Sequence, residues 1–112
     1  MLISFIKVPS AAPWIRDYVI EPSSDVRIFW EQVSEEDRNG IILGYTISYE
    51  TECFDEHHPS WHSGEVNVSA PSTMYTFSNL LPGLGYRVRI AAFTSKGISG
   101  HYNEKIIFSG KL

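Results

Sequence analysis

Asn79-Leu80-Leu81-Pro82-Gly83-Leu84-Gly85-Tyr86-Arg87-Val88-Arg89-Ile90-Ala91-Ala92 is the stretch that decides the fold. It opens as a tight apolar corner and runs directly into a strand. Tyr86, Val88, Ile90 and Ala92 alternate with Arg87, Arg89 and Ala91, the period-2 pattern of a half-buried strand. In the corner, Pro82 sets φ, and Gly83 and Gly85 are able to take positive φ without a Cβ clash. A tyrosine placed just after such a corner buries its ring and returns its hydroxyl to the corner backbone, which is the tyrosine corner of β-sandwiches. Leu80, Pro82 and Tyr86 are therefore expected to be structural residues.

Working outward, the 112 residues allow one domain with one core. The chain is 43% apolar and 13% aromatic, too rich in large side chains to stay disordered. A formal charge of −4 argues against a nucleic-acid or anionic-membrane surface. No apolar run approaches the ~20 residues that span a bilayer. Residues 1–8 are too short for a signal peptide and lack a basic start, so they read as a leader or as the end of a preceding domain. The domain proper is placed at 9–112. The single cysteine, Cys53, excludes an intramolecular disulfide and with it a disulfide-stapled mini-protein. It does not exclude secretion, since a sandwich of about 100 residues stands on its core alone.

Along the chain, Pro9 and Pro13 hold an extended start, and a first, edge strand is expected from Trp14 to Ile20. Pro22-Ser23-Ser24-Asp25 is a turn cluster. Val26, Ile28 and Trp30 alternate with Arg27 and Phe29 in a second strand, with Trp30 as the central packing anchor. An acidic loop, 34–40, precedes a third strand with Tyr45, Ile47 and Tyr49 inward. The fourth strand is expected at 65–68. A fifth covers 74–78 with Tyr75 and Phe77 inward, and the sixth runs from Tyr86 to Thr94. Residues 95–100 read as a glycine-punctuated hairpin loop, and 105–109 as a seventh strand burying Ile106 and Phe108. Seven short strands with turn signals between them and no amphipathic helical run predict an all-β, seven-stranded antiparallel, immunoglobulin-like β-sandwich.

Chemistry has few candidates. Cys53, His57, His58 and His62, with Asp55 and Glu56, form the one cluster of metal-competent side chains, but Pro59 breaks any helix that would align them. Their spacing matches no closed zinc module, so the reading is a solvated loop with no metal and no cofactor. No nucleophile elbow, phosphate loop or paired-carboxylate motif is present, and an enzyme is not expected. Asn67-Val68-Ser69 is an N-glycosylation sequon. Arg87 and Arg89 point outward from the central strand, either paired with Glu50 or Glu104 or stacked on aromatics. Phe54 and Trp61, in the long connection after the third strand, have no clear core position; they are the candidate partner contact, with a fold-back of Trp61 over the sheet edge as the competing reading.

Leu80-x-Pro82-Gly83-x-x-Tyr86 resembles the Leu-x-Pro-Gly-x-x-Tyr signature of fibronectin type III domains. The run from Asn39-Gly40 through Ile42 to Tyr45, Ile47 and Tyr49 resembles the same family's pattern, and Trp30 fits it. Asn39-Gly40 alone would suggest a two-residue hairpin; the resemblance implies instead a loop that carries the chain from one sheet to the other. The runs from Trp30 to Ile42 and from Ile90 to Gly97 look like stalk domains of class I cytokine receptors, and similar runs occur in receptor phosphatases and neural adhesion proteins. The Trp-Ser-x-Trp-Ser motif of ligand-binding receptor modules is missing from 94–100. The resemblance implies an extracellular protein-interaction or spacer module of a multidomain cell-surface receptor. Its partners would be another protein or neighbouring domains of the same chain, with no nucleic acid, no membrane contact by this domain and a monomeric state in isolation. The alternatives are an adhesion or matrix-type domain and, more remotely, an appendage of a secreted hydrolase.

Overall fold

A computed structural model describes residues 6–23, 25–52 and 62–110. The strands are β1 (Ile15–Ile20), β2 (Val26–Trp30), β3 (Gly44–Thr51), β4 (Ser63–Ser69), β5 (Met74–Phe77), β6 (Gly85–Thr94), β7 (Gly97–Ile98) and β8 (Asn103–Phe108). One helical turn, α1 (Glu35–Arg38), interrupts the acidic loop and ends on Asn39 in the left-handed region at φ 57°. β1, β2 and β5 make one antiparallel sheet. β4, β3 and β6 make the other, with β7 and β8 along the far edge of β6. The 31–43 connection thus joins the two sheets, as the resemblance implies, and does not close a hairpin.

The two sheets meet through alternate residues. Val26, Ile28 and Trp30 face Tyr45, Ile47, Tyr86, Val88 and Ile90, and all are buried together with Phe77 and Ile107. Trp30 and Tyr45 meet edge to face with centroids 5.4 Å apart. Tyr49 is half-buried and packs on Phe77 at 5.3 Å. Gly64 lies opposite Tyr49 in the β3–β4 register, and a Cβ there would overlap the Tyr49 ring, so glycine is what lets the ring lie over β4. Each large side chain buried here contributes about 1.5–3 kcal/mol, which outweighs the half-exposed ion pairs of the surface at about 0.2–1 kcal/mol each.

Several expectations need correction. The first strand begins at Ile15, leaving Trp14 68% exposed, with only its carbonyl engaged by the Glu31 amide. Within 95–100, only Ser95 and Lys96 form the turn; Gly97 and Ile98 already pair with Thr94 and Phe93. The returning strand is therefore split. Ile90 pairs with Asn103 and Phe93 with Ile98, so three steps along β6 are matched by five on the returning chain. An excess of two residues keeps the facing of every side chain, because the strand period is two.

The last strand buries Ile107, and Ile106 and Phe108 point outward. Ile106-Ile107-Phe108 is an unbroken apolar run with no alternation to read. The register decides: Ile107 opposes the inward Tyr86, and Ile106 opposes the outward Arg87.

Candidate functional site

The corner at 80–84 is held from three sides. The Leu81 amide donates to the Tyr86 hydroxyl at 2.8 Å, so the tyrosine does return its oxygen to the corner backbone. Ser109 closes the other side: its hydroxyl donates to the Leu81 carbonyl at 2.6 Å and accepts from the Leu84 amide at 2.8 Å. Gly83, at φ 76°, donates to the Gly110 carbonyl. Gly83 alone takes the left-handed conformation in this corner; Gly85 is ordinary strand backbone. Leu80 packs half-buried against the core and Pro82 lies on the surface. Burial pushes the Tyr86 phenol above its ordinary value; the Leu81 amide opposes this and the nearby Tyr49 adds to it. Burial likewise raises Tyr45, against the opposing Trp30 indole and Arg38 guanidinium. Both phenols stay neutral, as packing residues require.

His62 joins the same cluster, with Nδ1 at 3.1 Å from the Tyr86 hydroxyl and its ring edge-on to Tyr86. The tyrosine oxygen already accepts from Leu81, so its proton is available to Nδ1, which fits the tautomer protonated at Nε2. Thr51 and His62 also bond through their backbones, Thr51 amide to His62 carbonyl at 2.9 Å, and the Glu52 amide donates to Gly85. Both flanks of the 53–61 connection are thereby anchored at the corner. Phe54 and Trp61, the expected partner contact, and Cys53, His57 and His58 lie outside the described residues. Neither Ser109 nor His62 was identified as part of the corner. No local motif marks them, since each reaches it only because another strand end passes close by.

The outer face of the five-stranded sheet carries a charged ladder. Arg89 Nε donates to Glu104 at 2.8 Å, and Arg87 sits between Glu52 at 3.1 Å and Glu50 and Glu104, each at 3.9 Å. The hydrogen bond to Glu104 pushes the Arg89 guanidinium further above its ordinary range. Arg89 also lies over the Tyr102 ring, 4.9 Å from the centroid. Ile98 (50% exposed), Tyr102 (53%), Ile106 (46%) and Phe108 (49%) follow one another along β7, its connection to β8 and β8 itself, beside this ladder. Those two strands pair with β6 and with no further described strand, so this is a sheet edge that carries apolar side chains. Asn67 is exposed on β4, the opposite edge strand, and its Oδ1 accepts from the Thr46 hydroxyl at 2.8 Å.

At the end of the sandwich nearer α1, a groove of about 320 Å³ lies between the 32–42 connection and Pro71, bordered by Arg38, Tyr45 and Ile41. Ile41 is 79% exposed. Among the described residues no three His, Cys, Asp or Glu side chains are grouped so as to hold a metal ion. The arrangement offers shape, apolar area and ion pairs to a macromolecular surface.

Residues 15–109 match the fibronectin type III domain family. The chain is 34% identical over 89 residues to mouse interleukin-6 receptor subunit beta, covering 80% of this chain and 9% of that protein. It is 33% identical over 95 residues to mouse protein sidekick-2, covering 80% of this chain and 4% of that one. In three dimensions it is similar to the third fibronectin III domain of human KIAA0343 protein, with a TM-score of 0.80 at 16% identity over 100% of this chain and 91% of the other. The chain thus spans less than a tenth of either of these two relatives, as one domain among the segments of long proteins. With two antiparallel sheets, the tyrosine corner and a match along nearly its whole length, the chain belongs to the fibronectin type III domain family.

Proposed function

We propose that this domain is an extracellular protein-interaction and spacer module of a multidomain cell-surface receptor of cytokine-receptor type. The observation that carries this reading is the 34% identity to a segment of interleukin-6 receptor subunit beta making up 9% of that protein. A self-contained core with anchored corners suits a bead that sets the distance between neighbours. The apolar edge on β7 and β8 and the 53–61 connection are the surfaces through which it would touch a protein. Catalysis has no place in this reading, and the domain boundary falls near residue 9. The second reading, an adhesion-type domain, is favoured by the 33% identity to sidekick-2.

The location is tested by labelling intact cells with a membrane-impermeant amine reagent and recovering the native protein with an antibody to the domain. Labelling before lysis supports the proposal; labelling only after lysis refutes it. Spacer and binder are separated by Trp61→Ala at equal surface expression. A binder through this connection loses about 2 kcal/mol or more of partner affinity with no change in thermal midpoint. A pure spacer assembles unchanged. A lowered midpoint with unchanged affinity would place Trp61 in the core.

A further inference from the structure

The outer face of the five-stranded sheet contains a groove bordered by Thr46, whose hydroxyl donates to the sequon residue Asn67. The register sets Asn67 opposite Thr46 and Thr46 opposite Ala91. Tyr102, the residue before Asn103, which pairs with Ile90, continues the row beyond Ala91. Because Ala91 is small and lies between Arg89 and Phe93 on the same face, this row is a trench. It encloses about 180 Å³, lined by Thr46, Ser48, Glu65, Arg89, Ala91 and Tyr102 among others. The row crosses β4, β3 and β6 and reaches the connection between β7 and β8, so at about 4.8 Å per step it runs roughly 14 Å from Asn67 to Tyr102.

We propose that Asn67 carries an N-linked glycan whose first sugars lie along this groove toward Tyr102. Three features support it. Asn67 projects outward from an edge strand, where no further described strand pairs beyond it. The Thr46 hydroxyl holds Oδ1 at 2.8 Å and so orients the amide, while Nδ2, the atom that bears sugar, has no hydrogen-bond partner among the described residues. The groove matches the chemistry of a neutral sugar chain. Thr46, Ser48, Glu65 and Arg89 supply hydrogen-bonding groups, and the half-exposed Tyr102 ring offers an apolar platform for sugar C–H faces.

In the modification step, Nδ2 attacks the anomeric carbon of a lipid-linked oligosaccharide diphosphate. The N–C bond forms as the C–O bond to diphosphate breaks, and one amide proton leaves to a base of the transferase. The hydrogen bond from Thr46 survives, because Oδ1 takes no part. A glycan so placed covers a strip from β4 across β3 and β6 to Tyr102 and leaves Ile106 and Phe108 free.

This inference rests on the extracellular reading, since the sugar donor is met in the secretory pathway. Supplying the 112-residue chain with a cleavable secretion signal in mammalian cells separates the two: a missing glycan refutes the site alone, and intact-cell labelling tests location alone. The expected intact mass includes one N-linked glycan that disappears in Asn67→Gln and in Ser69→Ala. A wild-type chain secreted without it overturns the site. For the groove, release by peptide N-glycosidase from folded protein should be up to about tenfold faster in Tyr102→Ala than in wild type. Equal rates at equal thermal midpoints overturn the packing. If that variant is destabilised, the Ala91 methyl resonance of wild type decides: it should shift on deglycosylation, and an unmoved resonance overturns the packing.

Discussion

Replacing Tyr86 by Phe removes one oxygen from the centre of the corner and leaves the ring in place. In the folded domain that oxygen accepts from the Leu81 amide at 2.8 Å and lies 3.1 Å from His62 Nδ1, while Tyr86 itself is fully buried. Each intramolecular hydrogen bond contributes about 0.5–1.5 kcal/mol net, and a buried group left unpaired costs about 1–3 kcal/mol. Leu81 is on the surface side of the corner, so its amide can recruit water and falls at the low end. The sum is about 1–2 kcal/mol. For a domain of this size that lowers the thermal midpoint by roughly 4–9 °C.

The assay is two-state denaturant and thermal unfolding of both proteins, with a double-mutant cycle through His62→Ala. The variant also changes the alkaline limb of stability. The folded Tyr86 phenol is raised by burial, so its contribution is complete below the unfolded value near pH 10 and is lost as pH rises through the folded value. Tyr86→Phe should therefore lose less stability than wild type above about pH 10, with Tyr45 contributing to what remains. Equal midpoints for wild type and variant would refute the hydrogen-bonding role of Tyr86, and an unchanged alkaline limb would refute the burial of its phenol.

Further outcomes follow from packing and register. Ile107→Ala should cost about 2–5 kcal/mol, whereas Ile106→Ser should stay within about 0.5 kcal/mol; chemical denaturation of the two variants reads the facing of β8 directly, and a reversed order would mean the register is wrong. Trp30→Ala should cost about 3–5 kcal/mol, enough to unfold much of the population at 37 °C; a circular-dichroism melt unchanged from wild type contradicts it. Calorimetric titration with zinc should reveal no site tighter than about micromolar, and chelator should leave the melting temperature unmoved; a chelator-sensitive transition would bring Cys53, His57, His58 and His62 back as ligands.

Local chemistry alone established the class of fold. Tyr86, Val88 and Ile90 alternate with Arg87 and Arg89, and Val26, Ile28 and Trp30 with Arg27 and Phe29, so their inward faces are legible from period and all six are buried. Leu80, Pro82 and Tyr86 announce the corner because only a few residue types turn a chain so tightly before a strand. The sequon at Asn67 and the pairing of Arg87 and Arg89 with Glu50 and Glu104 were visible as well.

Tertiary structure decided what periodicity leaves degenerate. Ile106-Ile107-Phe108 has no alternation, and only pairing with β6 selects Ile107. The clamp of Ser109 on the corner and the docking of His62 on Tyr86 each join positions far apart in the chain, and the break between β7 and β8 appears only in their register against β6. The row Asn67, Thr46, Ala91 and Tyr102 likewise crosses β4, β3 and β6 and brings together residues well separated in sequence. Side-chain period is a property of one strand, while register is a property of two, and so the first could be read from the sequence and the second required the fold.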